Sequence, residues 1–355
     1  LLTTYGTLRK DVDILAGLDF EYVILDEAQA IKNHAAQISK ACRDLKGRHR
    51  LALSGTPVEN DVSELWSIFE FLNPRMLGSR REFVRMAQGD ALTLVGRGLS
   101  PLLLRRRKED VLGELPEKTE LTVYCDLGPE ERRRYDELRV QYRSQIDAKV
   151  AKTGVQSVRT EVLEALLRLR QVACHQGLVD ERRKSAPSTK VDTLLAHIEE
   201  VAAEGHKALV FSQFVKLLDI VRQRLDADGI KYTYLDGQVR DRESVVDRFQ
   251  SDPEVSVFLI SLRAGGLGLN LTAADYVFIL DPWWNPAVEA QAIDRAHRIG
   301  QTRPVFAYRY IARDTVEEKI LALHRDKRAL AEALVGGDLD KGGKLSLDEL
   351  RLLLQ

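Results

Sequence analysis

Short apolar runs that recur between helical segments are the feature that most constrains the fold of this chain. In the second half, such runs predict strands at residues 208–211, 232–235, 255–260, 276–280 and 305–311. Strands that alternate with helices form βαβ units, whose parallel sheet is buried on both faces. The pattern therefore predicts an α/β fold here, entered after a Ser- and Pro-containing linker at residues 185–189.

The first half carries the same kinds of pattern. Apolar runs predict strands at residues 1–8, 20–28, 50–56 and 119–127. Amphipathic or charged periodicity predicts helices at residues 61–72, 129–150 and 161–174. At 355 residues the chain is long enough for two domains with separate cores.

Composition excludes several classes of protein. The net charge is −1, so any contact with nucleic acid has to come from local basic patches. Cys42, Cys125 and Cys174 form no CxxC pair, which disfavours a zinc site or a disulfide framework and indicates a reducing, intracellular setting. No apolar run approaches the roughly 20 residues of a membrane span, so no membrane partner is expected.

Asp26 and Glu27 stand at the end of the strand predicted at residues 20–28. Alternation along a strand sends neighbouring side chains to opposite sides, so the two carboxylates can take different roles. Acidic pairs at strand ends are common, but here Ala28-Gln29 follows at once and Ser54-Gly55-Thr56-Pro57 closes the next strand. That turn either leaves N–H groups and hydroxyls available to sense a phosphate or caps a helix.

A cationic motif follows the strand predicted at residues 276–280. Gln291, Arg295 and Arg298 are spaced i, i+4 and i+7, so a continuous helix after Pro286 would carry an amide and two guanidiniums on one stripe. A guanidinium matches phosphate oxygens and cannot lose its proton, which suits it to stabilise charge on a transferred phosphoryl group. For two arginines alone, a solvated basic helix face is the alternative.

Together these motifs resemble the Swi/Snf family of DNA-dependent ATPases, within helicase superfamily two. The resemblance rests on Asp-Glu-Ala-Gln at residues 26–29, Ser-Gly-Thr-Pro at residues 54–57 and Gln-Ala-x-x-Arg-x-x-Arg-x-Gly-Gln at residues 291–301, and it covers nearly the whole chain. It implies two RecA-like parallel-sheet lobes, the first truncated, with helical insertions. It also implies a motor that hydrolyses ATP while it moves along double-stranded DNA.

The resemblance further implies roles for single residues in ATP hydrolysis. Asp26 would hold magnesium through water, and Glu27 would orient or deprotonate the attacking water. Arg295 and Arg298 would be arginine fingers, with Gln291 beside them. The glycine loop with Gly266 and Gly268 would touch nucleic acid and the interdomain cleft where the ATP cofactor binds. The turn of Ser54, Gly55 and Thr56 would couple the nucleotide state to the grip on DNA.

DNA contacts implied by the resemblance lie in both halves of the chain. They are Thr3, Thr4, Ser212, Gln213, Arg263, Trp284 and Asn285. For Thr3 and Thr4, β-propensity alone is the alternative. Adjacent Trp283 and Trp284 are costly to expose, so we hypothesise that one ring packs in the core while the other supports or touches the DNA. The basic run at residues 105–108 either couples the motor halves and contacts phosphate or is a plain linker.

The resemblance also predicts how the chain divides into domains. Residues 1–104 would be the carboxyl-terminal part of the first lobe with the start of a helical insertion, 105–189 the linker and insertion, 190–313 the second lobe, and 314–355 a helical extension. The extension carries a partial calcium-loop pattern at Asp338, Asp340, Gly343 and Glu349, in which Gly342 stands at a ligand position.

One component of such a motor has no counterpart in the sequence. No phosphate-cradling G-x-x-x-x-G-K-[ST] loop (Walker A) occurs, and the chain begins at Leu1 in apolar sequence, as a fragment of a longer protein would. We therefore predict that this chain alone neither binds ATP tightly nor hydrolyses it, although the intact parent would. Two alternatives stay open: a strand-separating helicase, and a motor-dead module that binds DNA or a protein partner.

Overall fold

The structure is a computed structural model that describes residues 1–55, 62–86, 98–104, 106, 108–265 and 268–322. These residues form two compact units, residues 1–104 and residues 106–322. Thr56, Gly266, Arg105 and the calcium-loop-like segment lie outside the described residues. Across the described part of the chain, every helix is too short or too polar to cross a membrane.

The first unit is built on two parallel strands, β1 (Asp19–Leu25) and β2 (Lys46–Ala52). Its described helices are α1 (Tyr5–Lys10), α2 (Val12–Leu15), α3 (Gln37–Asp44), α4 (Val62–Leu72) and α5 (Arg80–Met86). Val23 and Leu25 of β1 share a core cluster with Ala41 and Cys42 of α3. Because the strands are parallel, their carboxyl ends lie at the same edge of the sheet.

The amino-terminal segment differs from the sequence prediction. Residues 1–4 have no regular structure, and α1 begins at Tyr5. Thr4 caps this helix, since its Oγ1 accepts a hydrogen bond from the Thr7 N–H at 3.1 Å. Such a bond satisfies a helix donor that has no intrahelical partner. The strand predicted at residues 1–8 is therefore wrong, because local capping outweighs β-propensity there.

The second unit contains a six-stranded sheet in the order β3-β8-β7-β4-β6-β5, and every neighbouring pair is parallel. The strands are β3 (Lys118–Cys125), β4 (Ala208–Ser212), β5 (Tyr232–Leu235), β6 (Val257–Ser261), β7 (Tyr276–Ile279) and β8 (Val305–Ala312). The strands predicted for this half are confirmed close to their expected bounds. β3, from the segment before the linker, forms an edge of this sheet.

Burial explains why these strands could be recognised. Every residue of β4 and of β6 is buried, whereas the edge strand β5 alternates between buried and partly exposed positions. Along β4, Ala208 and Val210 belong to one core cluster, while Leu209 and Phe211 belong to another. Successive side chains thus enter separate cores on the two faces of the sheet. The predicted α/β fold with a parallel sheet is confirmed.

Helices surround this sheet. They are α6 (Lys108–Val111), α7 (Pro129–Thr153), α8 (Arg159–Cys174), α9 (Thr189–Ala203), α10 (Val215–Ala227), α11 (Arg242–Ser251), α12 (Leu262–Gly265) and α13 (Pro286–Ile293). Residues 316–322 are also helical. α7 and α8 share a core with Val316 and Ile320. Ser188, inside the predicted linker, caps α9 by accepting the Val191 N–H at 3.4 Å.

Candidate functional site

The acidic pair of the first unit follows directly after β1. The strand ends at Leu25, and Glu27 has φ 49° and ψ 52°, in the left-handed region. The prediction that strand alternation separates Asp26 from Glu27 is wrong, because the chain leaves the extended conformation before it reaches Glu27. Both carboxylates are exposed, and Asp26 Oδ1 accepts the Glu27 N–H at 2.9 Å.

Hydrogen bonds connect Glu27 with the turn after β2. The Gln29 amide nitrogen donates to Glu27 Oε2, and Ser54 Oγ donates to Gln29 Oε1 at 2.8 Å. The backbones of the two segments are joined as well, since the Ala28 N–H donates to Leu53 O at 2.8 Å. Gln29 thus joins Glu27 to Ser54 through the two ends of one amide. The structure therefore brings together the two motifs that the sequence separates by a helix and a strand.

The groups around Asp26 suit a cation that keeps its water shell. Hard divalent cations such as Mg²⁺ take oxygen ligands and retain several waters, so an exposed, oriented carboxylate fits one. The Tyr5 hydroxyl donates to Asp26 O at 2.7 Å, and burial, aided by nearby Cys42 and acidic groups, raises the pKa of Tyr5 above its usual range. Within the described ranges, no group of three or more His, Cys, Asp or Glu could hold a metal ion directly.

In the second unit, the chain segments that follow β4 and β7 meet at one buried carboxylate. Asp281 is fully buried and accepts hydrogen bonds from Ser212 Oγ and from the Gln213 N–H, the latter at 3.2 and 3.3 Å to its two oxygens. Burial raises the pKa of Asp281 to about 6, although Arg170 and the Ser212 hydrogen bond oppose the rise. Asp281 therefore holds Ser212 and Gln213, two of the predicted DNA contacts. Ser212 is itself fully buried, whereas Gln213 is partly exposed.

Arg170 reaches the same place from α8. Its Nη2 donates to Pro282 O and lies 3.8 Å from Asp281 Oδ2, and its side chain is only 1% exposed. The guanidinium carbon lies 5.4 Å from the ring centre of Trp284 and 5.7 Å from that of Phe214. Sequence reasoning missed Arg170, because one arginine in a helix rich in Leu and Arg carries no distinguishing pattern.

Both tryptophans of the tandem pair pack against core clusters. Trp283 lies against the core of the sheet and Trp284 against the core shared by α7 and α8, and each ring keeps part of its surface exposed. The hypothesis placed one ring in the core, whereas both rings pack against core clusters. Asn285 caps α13, with its Oδ1 accepting the Ala287 N–H at 3.1 Å.

A second buried ion pair lies beside this region. Lys190 Nζ donates to both oxygens of Glu317, at 2.6 and 2.8 Å, and to Leu280 O at 3.0 Å. Neither side chain is more than 1% exposed. Burial disfavours the ammonium, yet the pKa of Lys190 is raised because the Glu317 carboxylate binds it. The pair ties the end of β7 to α9 and to the helical residues 316–322.

The two arginines predicted to share a helical stripe lie beyond the helix. α13 ends at Ile293, so it contains Gln291, whereas Arg295 and Arg298 follow in tight turns. The Arg298 N–H donates to Ala296 O at 3.1 Å, only two residues back, which breaks the helical period. The predicted stripe is therefore wrong. Arg295 is 8% exposed, whereas Arg298 is an exposed residue.

Three side chains hold the segment 294–301, here termed the arginine turn. Gln301 donates to two backbone carbonyls at 2.8 and 3.1 Å, and His297 Nε2 lies 2.8 Å from Pro116 O. Lys108 Nζ donates to His297 O at 2.9 Å and lies 2.9 Å from Asp294 Oδ1. Lys108 belongs to the basic run that the sequence linked to coupling or phosphate contact, and its observed partners lie in the arginine turn.

The remaining predicted residues are placed separately. Gly268 is exposed with φ +65°, a conformation that favours glycine. Thr3 and Thr4 are exposed just before α1. Only the backbone of Arg263, in α12, is described. Gly55 lies in the bend that follows Ser54.

Acidic residues after a parallel strand, a Ser-Gly turn joined to them and two arginines in a hydrogen-bonded turn define the class of helicase-like α/β proteins. Residues 1–178 match the SNF2-related domain, and residues 189–300 match the helicase conserved C-terminal domain. The chain belongs to the Swi/Snf family within helicase superfamily two.

Similar proteins come from bacteria, eukaryotes and archaea. An uncharacterised ATP-dependent helicase of Mycoplasma genitalium is 35% identical over 100% of this chain and 34% of its own length. TATA-binding protein-associated factor 172 of Homo sapiens is 34% identical over 99% of this chain and 22% of its own length. The solved Sulfolobus solfataricus SWI2/SNF2 ATPase core in complex with dsDNA is 35% identical, with a TM-score of 0.53, over 99% of this chain and 76% of that one. The chain spans about a third or less of these two curated relatives.

Proposed function

We propose that this chain is the motor core fragment of an ATP-dependent translocase that moves along double-stranded DNA. The observation that carries the proposal is the hydrogen-bonded link from Glu27 through Gln29 to Ser54. In a motor, the group that handles the attacking water and the turn that senses the nucleotide must change together, and one amide joins them here. The Sulfolobus core, solved in complex with dsDNA, supports duplex DNA as the track.

Asp26 and Glu27 have distinct roles in this proposal. Asp26 would hold magnesium through water, and Glu27 would orient the attacking water and take its proton on the carboxylate. Magnesium, when bound, neutralises charge on the β- and γ-phosphates of the ATP cofactor. Glu27 is suited to its role because the Gln29 amide fixes the orientation of its carboxylate.

Arg295 and Arg298 are proposed as the cations that stabilise charge on the transferred phosphoryl group, with Gln291 close by in α13. Gly266 and Gly268 are proposed to approach the nucleotide through their backbone. Braced donors cost no reorganisation when charge develops, so the contacts that hold the arginine turn favour this role. The Lys108 ammonium, at 2.9 Å from both His297 O and Asp294 Oδ1, is one of those contacts.

Duplex DNA is proposed to contact residues of both units. The proposed contacts are Thr3, Thr4, Ser212, Gln213, Arg263, Trp284 and Asn285. Hydroxyl, amide and guanidinium groups bind phosphate and sugar, and a partly exposed aromatic ring offers an apolar contact. A net charge of −1 means that such local contacts, and not a global field, provide the affinity.

The proposal extends to organisation and setting. Boundaries near residues 104, 189 and 313 would separate the first-lobe part, the linker with its helical insertion, the second lobe and the extension. A motor of this kind works where the DNA is, in a bacterial nucleoid or a eukaryotic nucleus. A DNA-bound protein is the proposed target of the movement.

The decisive experiment is DNA-stimulated ATP hydrolysis by the full-length protein with and without Glu27→Gln. Loss of the base should lower kcat about 100-fold or more, with little change in the KM for ATP. Glu21→Gln is the matched control, because Glu21 is an exposed carboxylate on the same strand, paired with Arg48 at 3.3 Å. Equal losses in both variants, or none in either, would remove the proposed role of Glu27.

Two further assays separate this proposal from its rivals. A translocase should displace a third strand from a triplex without separating the duplex, whereas a strand-separating helicase would release single strands. The 355-residue chain alone should not hydrolyse ATP, because it contains no phosphate-cradling loop. Robust hydrolysis by this chain would overturn that expectation.

A further inference from the structure

We infer that Arg170 is a positioning residue that holds the DNA-contacting surface of the second unit in its working conformation. The surface consists of two segments, residues 212–214 at the end of β4 and residues 281–284 after β7, here termed the strand-end loops. This inference rests on the proposed function, because it takes the partly exposed Gln213 and Trp284 to contact duplex DNA.

The contacts of Arg170 all lead to the strand-end loops. Its guanidinium bonds to Pro282 O, pairs with Asp281 at 3.8 Å, and lies near the rings of Phe214 and Trp284 at 5.7 and 5.4 Å. One planar group therefore meets backbone, carboxylate and aromatic partners from both loops. Contacts of several kinds on one rigid fork fix orientation as well as distance.

Asp281 links Arg170 to the loop that carries residues proposed to touch DNA. The carboxylate that pairs with Arg170 also accepts bonds from the Ser212 hydroxyl and the Gln213 N–H. A shift of the guanidinium would therefore move the Asp281 carboxylate and the first loop with it. In the second strand-end loop, the ring of Trp284 lies near the same guanidinium. Arg170 thus sets the position of Gln213 relative to the ring of Trp284.

Arginine is the side chain that this position requires. Neighbouring α8 residues Leu166, Leu169 and Ala173 are buried and apolar, so packing alone would be met by leucine. An ammonium is compact and presents no planar face, so lysine cannot bond to Pro282 O, pair with Asp281 and lie flat against a ring together. The nearby Lys190 is already committed to Glu317 and Leu280.

Arg170 also comes from a different sequence segment than the loops it holds. It lies in the part that matches the SNF2-related domain, whereas Ser212, Asp281 and Trp284 lie in the part that matches the helicase C-terminal domain. The helical segment before the linker therefore completes the DNA-contacting surface of the sheet that follows it. This gives α8 a function in DNA binding without direct contact.

The test measures the affinity of the 355-residue chain for a short fluorescein-labelled DNA duplex by fluorescence anisotropy. Arg170→Lys and Arg170→Met should each raise the Kd about tenfold, because the loss of one aromatic or polar contact with DNA has an effect of about this size. Tryptophan emission should change in the same variants, since Trp284 loses its guanidinium neighbour. Arg222→Met is the matched control, because Arg222 lies over Tyr234 at 4.7 Å on another helix and should leave the Kd unchanged.

A second measurement distinguishes positioning from a general loss of structure. In the full-length protein, Arg170→Lys should raise the DNA concentration for half-maximal stimulation about tenfold, with kcat at saturating DNA and the KM for ATP unchanged. A purely structural role would lower kcat as well. Arg170→Lys keeps the buried charge, so the test holds even where Arg170→Met fails to fold.

The outcomes separate the two claims. Should Trp284→Ala and Gln213→Ala weaken duplex binding while both Arg170 variants bind like the unsubstituted chain, the inference is wrong and the proposed function stands. Should the unsubstituted chain fail to bind duplex DNA, the proposed DNA surface is wrong and the role of Arg170 is wrong with it.

Discussion

Glu27, the proposed base of the first unit, has an uncommon backbone conformation. A non-glycine residue in the left-handed region costs roughly 1–3 kcal/mol and persists only where its surroundings hold it. Here the Gln29 amide holds the side chain, and the Ala28 N–H joins the backbone to Leu53 O. The turn thus takes Glu27 out of the extended conformation of the strand.

The Gln29 amide yields the first prediction at the scale of residues. In the full-length protein we expect Gln29→Ala to lower kcat about tenfold with little change in the KM for ATP, because Glu27 loses its orientation. Ser54→Ala acts through the same amide, so the double variant should lose less than the product of the two single effects. Steady-state kinetics of the three variants measure this. Fully multiplicative effects would mean that Ser54 and Glu27 work independently.

Asp281 yields a prediction on pH. Its pKa is raised by burial from 3.8 to about 6, so the folded state holds the proton more tightly than the unfolded state between these values. The free energy of unfolding should therefore fall as pH rises through this window. Above the window this stability penalty reaches its full value of about 3 kcal/mol. Below the window both states are protonated and the penalty is absent.

The measurement is chemical denaturation of the unsubstituted chain and of Asp281→Asn across the same pH range. Other titrating groups largely cancel in the difference between the two proteins. We expect that difference to change in favour of Asp281→Asn as pH rises. A difference that stays flat would show that Arg170 and Ser212 fully offset the burial of the carboxylate.

At the scale of elements, the arginine turn places two arginines just after the end of a short helix. α13 has 8 residues and stops before either arginine. The backbone of the arginine turn is held chiefly by two side chains, Gln301 inside the turn and Lys108 from α6. The period of the helix is therefore a poor guide to where the two guanidiniums point.

Lys108 yields the prediction for this element. We expect Lys108→Met to lower kcat of the full-length protein about five- to tenfold, because loosely held arginines stabilise the transition state less well. Stability should change by less than about 1 kcal/mol, since the ion pair is partly exposed. Lys231→Met is the control, because Lys231 also pairs with an acidic residue, Glu254, and lies just before β5. Equal kinetics for all three proteins would contradict the bracing role.

At the scale of the whole molecule, the second unit holds its parts together with buried charge as well as apolar packing. Lys190 on α9 meets Glu317 in the helical residues 316–322, next to Leu280 O and the thiol of Cys174. Burial of Cys174 raises the pKa of its thiol, so the thiol stays protonated there. Four segments of the chain therefore converge on this pair.

This pair yields the prediction for the molecule. Lys190→Met should lower the free energy of unfolding by about 3–5 kcal/mol, because it leaves the Glu317 carboxylate buried without its cation. Adding Glu317→Met should restore part of the loss, since no isolated charge remains. Urea denaturation of both variants measures the effect. A double variant no more stable than Lys190→Met would contradict the explanation that the unpaired Glu317 carboxylate causes the loss.

Much of the fold could be predicted because its determinants are local. The strands of the second unit follow apolar runs, and β4 and β6 are buried throughout, so composition and period report them directly. Asp26, Glu27 and Ser54 were identifiable because they follow such runs. The errors at residues 1–8 and at the arginine stripe have one origin, since a capping bond at Thr4 and an early helix end at Ile293 override the local period.

The sequence by itself determined the α/β class, the order of most strands and helices, and the motifs that mark the Swi/Snf family, because each depends on residues close together in the chain. Only the tertiary structure decided which side chains meet. Arg170 and Pro282 are 112 residues apart, and Lys108 and His297 are 189 apart. No local period specifies such partners, because the parallel sheet brings strand ends together only after the whole unit has folded.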